Sequence, residues 1–138
     1  MDLSLEGKQA LVTGASRGIG RAIAERSADE GCDLLLVART PADVEAVAAE
    51  IAEISGRQVA PCVADLSEQD GVELVATEVN AVFGGLDILI NNSGAAKGRT
   101  ILELDDGDWH EGFALKFFGA LRLIRTLWPF LKDSGGSV

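Results

Sequence analysis

The stretch that most constrains the fold is a glycine-rich turn near the N-terminus. It follows an apolar run at 9–12, precedes a segment of helix-forming residues at 21–26, and reads Thr13-Gly14-Ala15-Ser16-Arg17-Gly18-Ile19-Gly20. Gly14 permits a tight turn, Gly18 lets a ligand approach the backbone, and Gly20 lets the helix pack on the strand. The unpaired N–H groups of the first helical turn suit a pyrophosphate. An ordinary glycine-rich turn is the alternative, but the strand before and the helix after favour a nucleotide site.

Apolar runs and helical patterns alternate along the rest of the chain. The expected strands are 9–12, 34–37, 59–63 and 86–90, with a fifth begun at 137–138. Further helices are expected at 41–54, about 67–83 and 106–131. This alternation predicts an α/β fold with a parallel sheet covered on both faces. Together with the glycine loop, it leads us to expect a doubly wound, Rossmann-like sheet with strand order 3-2-1-4. Pro61 indicates that the third strand is an edge strand, and Pro129 is expected to bend or end the last helix early.

Composition limits the partners and the compartment. The 138 residues are 47% hydrophobic, which suits a single domain over 1–138, and the net charge of −10 argues against nucleic acid and anionic membranes as partners. No basic, apolar leader and no run long enough to span a membrane is present, so we expect a cytoplasmic protein. Cys32 and Cys62 are expected to be buried, reduced thiols. The acids Asp105, Asp106 and Asp108 suit a helix start better than a metal site, so no metal is predicted.

Three further stretches, with the glycine loop, resemble the short-chain dehydrogenase/reductase family. Asp65-Leu66 matches the acid that family members place against the adenine, and Asn91-Asn92-Ser93-Gly94 resembles the family's Asn-Asn-Ala-Gly. Trp109 and the segment 113–129 resemble its long interface helix. The resemblance covers the whole chain, but only about the N-terminal half of a typical member. It implies cofactor contacts from Gly14, Ser16, Arg17, Gly18, Ile19, Gly20, Arg39, Asp65, Leu66, Asn92, Ser93 and Gly94.

The end of the second predicted strand indicates which nicotinamide cofactor is used. An acid there favours NAD, whereas an arginine accommodates the 2′-phosphate of NADP. The sequence reads Val37-Ala38-Arg39-Thr40, without an acid, and Arg17 lies in the glycine loop as in NADP-using family members. We therefore expect NADP rather than NAD. The alternatives are that both arginines are plain surface residues, or that the site binds a mononucleotide or a flavin.

The resemblance implies an oxidoreductase that moves a hydride between nicotinamide and a carbonyl or secondary alcohol. The family's Ser and Tyr-x-x-x-Lys have no match here, and the chain contains no tyrosine. We therefore expect a chain truncated before the catalytic and substrate-binding half, and inactive alone. Lys116 stands where most members carry the Asn that holds a relay water, and a charged amine cannot accept a hydrogen bond. The alternative is a non-catalytic nucleotide-binding module or assembly partner.

The predicted helix at 106–131 carries aromatic side chains all round its surface. They are Trp109, Phe113, Phe117, Phe118, Trp128 and Phe130. We expect core contacts on one side and a partner surface on the other. In the family this helix packs against its copy in a second subunit, so the resemblance implies a homodimer or homotetramer.

Overall fold

The computed structural model describes residues 3–94 and 97–138, and four strands in this part of the chain form one parallel sheet. The sheet has the order β3-β2-β1-β4, as predicted. Pro61 lies on an edge strand of the sheet, where a residue without a backbone N–H group is tolerated, so this prediction is also confirmed. The strands are β1 (Gln9–Thr13), β2 (Asp33–Ala38), β3 (Val59–Val63) and β4 (Ile88–Ile90).

Helices cover both faces of the sheet. The α-helices are α1 (Gly18–Asp29), α2 (Pro41–Ser55), α3 (Gln69–Val82), α4 (Asp106–Phe113) and α5 (Ala120–Ser134), with a π-helix, Ala114–Gly119, between the last two. Side chains of β1 and β2 alternate between two apolar clusters, because successive residues of a strand point to opposite faces. One cluster includes Val12 and Leu36 with α1 and α2, and the other includes Leu11 and Leu35 with α3 and α5. The doubly wound arrangement is therefore confirmed.

The segment expected to be one helix over 106–131 differs from that prediction. It contains the π-helix, and it continues to Ser134. A Cβ atom at Gly119 would lie 2.6 Å from the Leu66 carbonyl oxygen, so only glycine lets the π-helix approach the loop after β3 this closely. Pro129 lies inside α5 on its exposed face and does not end it. Water can satisfy the carbonyl that proline leaves without a donor on that face.

The residues after α5 are joined to the sheet beside β4. Ser137 forms a parallel bridge with Ile88, so the start of a fifth strand is confirmed. The helix expected from about 67 begins two residues later, at Gln69, because the N–H and hydroxyl of Ser67 both donate to Asp65 Oδ1. Cys32 and Cys62 are buried free thiols, as predicted, and burial raises the pKa of Cys62 to about 12.

Candidate cofactor-binding site

A cavity of about 470 Å³ opens at the carboxyl ends of the strands. Because β2 and β4 lie on opposite sides of β1, the cavity occupies the point where the strand order reverses, the usual ligand position in open α/β sheets. Its lining residues come from the loops after all four strands and from the π-helix. They are Gly14, Ser16, Arg17, Gly18, Ile19, Val37, Ala38, Arg39, Thr40, Asp43, Ala64, Leu66, Asn92, Ser93, Gly94 and Leu115.

Each glycine of the first loop has a separate role. Gly14 and Gly18 have φ of +63° and +58°, the left-handed region that favours glycine. A Cβ atom at Gly20 would lie 2.2 Å from the Gly14 carbonyl oxygen, so Gly20 is a packing position and does not line the cavity. A Cβ atom at Gly18 would meet nothing within 4 Å. Gly18 thus leaves open space at the N-terminus of α1, as a bound pyrophosphate would require.

The loop after β4 is joined to the glycine loop by hydrogen bonds that link residues 77 to 80 positions apart. Thr13, only 1% exposed, donates from its hydroxyl to the Ile90 carbonyl and accepts from the N–H groups of Asn92 and Ser93, each at 2.9 Å. The Asn92 amide donates to the carbonyls of Thr13 and Gly14 at 3.1 and 3.2 Å. This network fixes Asn92 and Ser93 against the cavity.

The end of β2 forms the basic part of the cavity. Ala38 occupies the last position of the strand, and the exposed side chains of Arg17 and Arg39 border the space beyond it. Neither arginine forms an ion pair with another residue in the described part of the chain. Asp43, in the first turn of α2, is an acid at this end that the sequence analysis did not assign to the site.

Asp65 and Leu66 are placed differently from each other. Leu66 is buried and lines the cavity, whereas Asp65 is exposed and does not line it. Hydrogen bonds from Ser67 lower the pKa of Asp65, and the positive charge of Arg39 adds to this effect. The Asp65 carboxylate therefore stays ionised at the edge of the cavity.

Lys116 lies in the π-helix, directly after the lining residue Leu115. Its aliphatic chain runs along Gly94: a Cβ atom at Gly94 would lie 3.6 Å from Lys116 Cδ and 4.0 Å from Cε. Lys116 therefore borders the β4 end of the cavity, although it is not part of the wall. Nearby, Lys97 pairs with Asp108 and with Glu111, which ties the loop after β4 to α4.

Sequence reasoning identified most of the wall but missed some contributors. Thr13 begins the glycine loop, but its buried side chain was assigned no role there. Asp43, in the first turn of α2, was not assigned to the site. Leu115 depends on the π-helix, for which the sequence carried no signal. The remaining wall residues that were not assigned are Val37, Ala38, Thr40 and Ala64.

The described residues include no group of three or more His, Cys, Asp or Glu side chains placed to hold a metal ion. Within 3–94 and 97–138, every helix is too short or too polar to span a bilayer.

The fold and the position of the cavity define a Rossmann-like α/β protein. A family model described as short chain dehydrogenase matches residues 8–138, and the chain belongs to this family. It is 37% identical to a fatty acyl-CoA reductase of Acinetobacter baylyi, over 98% of this chain and 46% of that protein. It is 34% identical to a 3-oxoacyl-acyl-carrier-protein reductase of Aquifex aeolicus, over 100% of this chain and 56% of that one. The chain thus spans about half the length of these curated relatives.

Solved structures agree with the assignment. The L-sorbose reductase of Gluconobacter frateurii, complexed with NADPH and L-sorbose, has a TM-score of 0.94 and 39% identity, covering 99% of this chain and 52% of that one. An alcohol dehydrogenase of Thermococcus sibiricus, complexed with 5-hydroxy-NADP, has a TM-score of 0.90 and 34% identity, covering 96% and 57%. Both neighbours hold NADP-type cofactors on a fold that this chain shares, and the family is an oxidoreductase family.

Proposed function

We propose that this chain binds NADP(H), in preference to NAD(H), as the cofactor-binding unit of an oxidoreductase acting on a carbonyl or secondary alcohol. The observation that carries the proposal is the pair Arg17 and Arg39 beside a strand whose last residue is Ala38 rather than an acid. Arginine suits a phosphate because its planar fork donates two parallel hydrogen bonds. The printed cofactors of the two solved neighbours support the same choice.

Each predicted site residue has a place in this proposal. Arg17 and Arg39 hold the 2′-phosphate, and Ser16, Gly18 and Ile19 surround the pyrophosphate at the start of α1. Leu66 packs against the adenine and Asp65 accepts hydrogen bonds from its edge. Asn92, Ser93 and Gly94 face the nicotinamide, while Gly14 and Gly20 shape the turn. When bound, the nicotinamide supplies or accepts the hydride.

The reaction also needs a proton donor for the developing alkoxide. No tyrosine occurs in these 138 residues, and Lys116 is the ionisable side chain beside the nicotinamide end. We therefore propose that residues 1–138 form one domain that binds the cofactor, and that the proton donor and most of the substrate pocket lie outside them. The two buried free thiols support a reducing, cytoplasmic location.

The test is a titration of the chain with NADPH and NADH, followed by nicotinamide fluorescence. A charge-assisted hydrogen bond contributes about 1.5–3 kcal/mol, so Arg39→Ala should weaken NADPH binding about 10- to 100-fold. NADH affinity should barely change, because NADH lacks the 2′-phosphate. Arg17→Ala should have the same selective effect. Arg26→Ala is the matched control, since Arg26 lies on α1 away from the cavity and pairs with Glu30 at the surface.

Equal losses for NADPH and NADH in Arg39→Ala would reject the 2′-phosphate assignment. Binding of FMN or ATP more tightly than NADPH would reject the dinucleotide reading and favour the flavin or mononucleotide alternative. Both outcomes are visible in the same titration, with flavin fluorescence or ATP competition as the readout.

We further propose that the chain self-associates through the segment 106–131. Phe117 packs edge-to-face against both Phe113 and Phe118, and exposed apolar patches mark interaction sites. Large apolar side chains are exposed along the segment. They are Trp109, Phe113, Phe117, Phe118, Leu121 and Trp128. Phe117→Glu should shift the sedimentation profile to monomer, because a buried carboxylate at an interface is costly. Leu74→Glu is the control, because it changes an exposed leucine on α3, and it should leave the sedimentation profile unchanged. A wild-type chain that is monomeric at about 100 μM would contradict the proposal.

A further inference from the structure

The cations of this acidic chain divide into paired and unpaired groups. Five of them form ion pairs in the described part of the chain: Lys8, Arg21, Arg26, Arg57 and Lys97. The other seven form none within the same residues. Three of these seven border the cavity, namely Arg17, Arg39 and Lys116, and four do not, namely Arg99, Arg122, Arg125 and Lys132. In a chain with 22 acidic residues, three cations without a carboxylate partner around one cavity are suited to bound anions.

The three cations that border the cavity lie at two different ends of it. Arg17 and Arg39 border the end of β2, whereas Lys116 runs along Gly94 after β4. Because β1 lies between β2 and β4, the two strand ends are about 10 Å apart. One phosphate group cannot reach both ends, so a phosphate held by the two arginines leaves Lys116 without an anionic partner.

The backbone keeps Lys116 in this position. Gly119 anchors the π-helix against the loop after β3, and Leu115 of the same π-helix lines the cavity wall. Turns of π-helix are rare and are frequently found at functional sites. The Lys116 stem lies 3.6–4.0 Å from the Cβ position of Gly94, which places this exposed lysine beside the loop after β4.

We infer that Lys116 is a specificity-determining residue that selects carbonyl or alcohol substrates carrying a carboxylate or phosphate close to the reacting carbon. The inference rests on the proposed function, since it takes the 2′-phosphate to occupy the arginine end and the reacting carbon to lie at the β4 end. An ammonium group is a point charge with three donors, and it binds either anion. It also offsets locally the repulsion that a net charge of −10 exerts on an anionic substrate.

The test is equilibrium binding to the NADP⁺-saturated chain, followed by the amide signal of Gly94 in ¹⁵N NMR. The probes are two pairs that differ in charge: pyruvate against 2,3-butanedione, and dihydroxyacetone phosphate against dihydroxyacetone. The wild type should bind the anion of at least one pair about tenfold more tightly than its neutral counterpart. This preference should shrink as the ionic strength rises, because salt screens an exposed charge. The pair that shows the preference identifies the anion.

Lys116→Met keeps the stem along Gly94 and removes the charge, so it should abolish the preference without changing affinity for the neutral probes. Lys116→Arg should retain it. Lys132→Met is the matched control, at an exposed lysine in the last turn of α5, and should behave as wild type. The salt dependence of the wild type tests the inference without any variant.

The outcomes separate the two proposals. The role of Lys116 would be overturned if the NADP⁺-saturated wild type bound the anionic and neutral probes equally well. It would also be overturned if Lys116→Met lost equal affinity for both members of a pair. Either outcome would leave the cofactor assignment intact. Failure of the chain to bind NADP⁺ at all would overturn the proposed function and this inference with it.

Discussion

The two ends of the cavity are built in different ways. At the β2 end, Arg39 and Thr40 directly follow the strand, and Pro41 begins the next helix. At the β4 end, Asn92 and Ser93 depend on Thr13, 79 and 80 positions earlier in the chain. The first end is fixed by local sequence and the second by contacts across the fold. Substitutions at the β4 end should therefore disturb more distant parts of the fold than substitutions at the β2 end.

The sheet reinforces this difference. The pairing of β1 with β2 extends over five residue pairs, whereas its pairing with β4 covers three. On its other side β4 meets only the Ser137 bridge among the described residues. With fewer ladder bonds, the β4 end is expected to open locally at lower free energy than the β2 end.

The largest expected effect separates the two ends by function. A polypeptide of residues 1–138 should bind NADPH but show no turnover of ketones or aldehydes, because the arginine end is complete and no tyrosine serves the β4 end. General acid–base assistance supplies about 10²–10⁴-fold, and lost substrate positioning adds to the deficit. The measurement is NADPH oxidation by absorbance across a carbonyl panel.

The L-sorbose reductase of Gluconobacter frateurii with L-sorbose serves as the assay control, since its structure holds both that sugar and NADPH. Cofactor-dependent turnover by residues 1–138 would contradict the prediction. It would direct the search for a proton donor to Ser93 and Lys116.

A smaller effect is expected from Thr13→Val, which removes the hydroxyl that joins the β4 end to the start of the glycine loop. The N–H groups of Asn92 and Ser93 would lose their acceptor, and an unsatisfied buried group costs about 1–3 kcal/mol. We expect a loss of about 2–4 kcal/mol in the free energy of unfolding, measured by urea denaturation. Thr13→Ser keeps the hydroxyl and should lose much less.

The same variant tests whether the ends are separable. Thr13→Val should weaken NADPH more than adenosine 2′,5′-bisphosphate, because this fragment occupies only the arginine end. Parallel losses for NADPH and the fragment would show that the two ends behave as one unit.

The same local and long-range division explains what the sequence could predict. Alternating apolar runs and helical patterns predicted the parallel sheet, because side-chain periodicity is a local property. The strand order was predicted from the fold type that the glycine loop indicates. The loop glycines were predictable because their conformations exclude other residues. The π-helix was not, because it depends on how closely Gly119 approaches the Leu66 carbonyl, a contact across 53 positions of the chain (119 minus 66). The prediction that Pro129 ends the helix early was wrong, because packing places this proline on the exposed face of α5 and the helix continues to Ser134.

At the cavity, residues next to a strand end were identified and those held by distant contacts were not. Asp65 matched the family pattern, but the turn it forms with Ser67 leaves it outside the wall. Thr13 was quoted within the loop without a role, because its partners lie about 80 residues away. The assignment of individual residues to cofactor contacts stays a prediction.

The smallest expected effect concerns the middle of the cavity, where Gly18 separates backbone strain from ligand contact. Gly18→Ala places a methyl group in open space at φ +58°, so its cost to the free energy of unfolding is the left-handed strain of about 1–2 kcal/mol. Gly56→Ala is matched to it, because Gly56 ends α2 at φ +71° and a Cβ atom there also meets nothing within 4 Å. The two variants should lose similar stability in urea denaturation. Only Gly18→Ala should also weaken NADPH binding, by about tenfold or more, since its methyl group occupies the space assigned to the pyrophosphate. If Gly18→Ala binds NADPH as tightly as Gly56→Ala does, the phosphates do not lie against the start of α1.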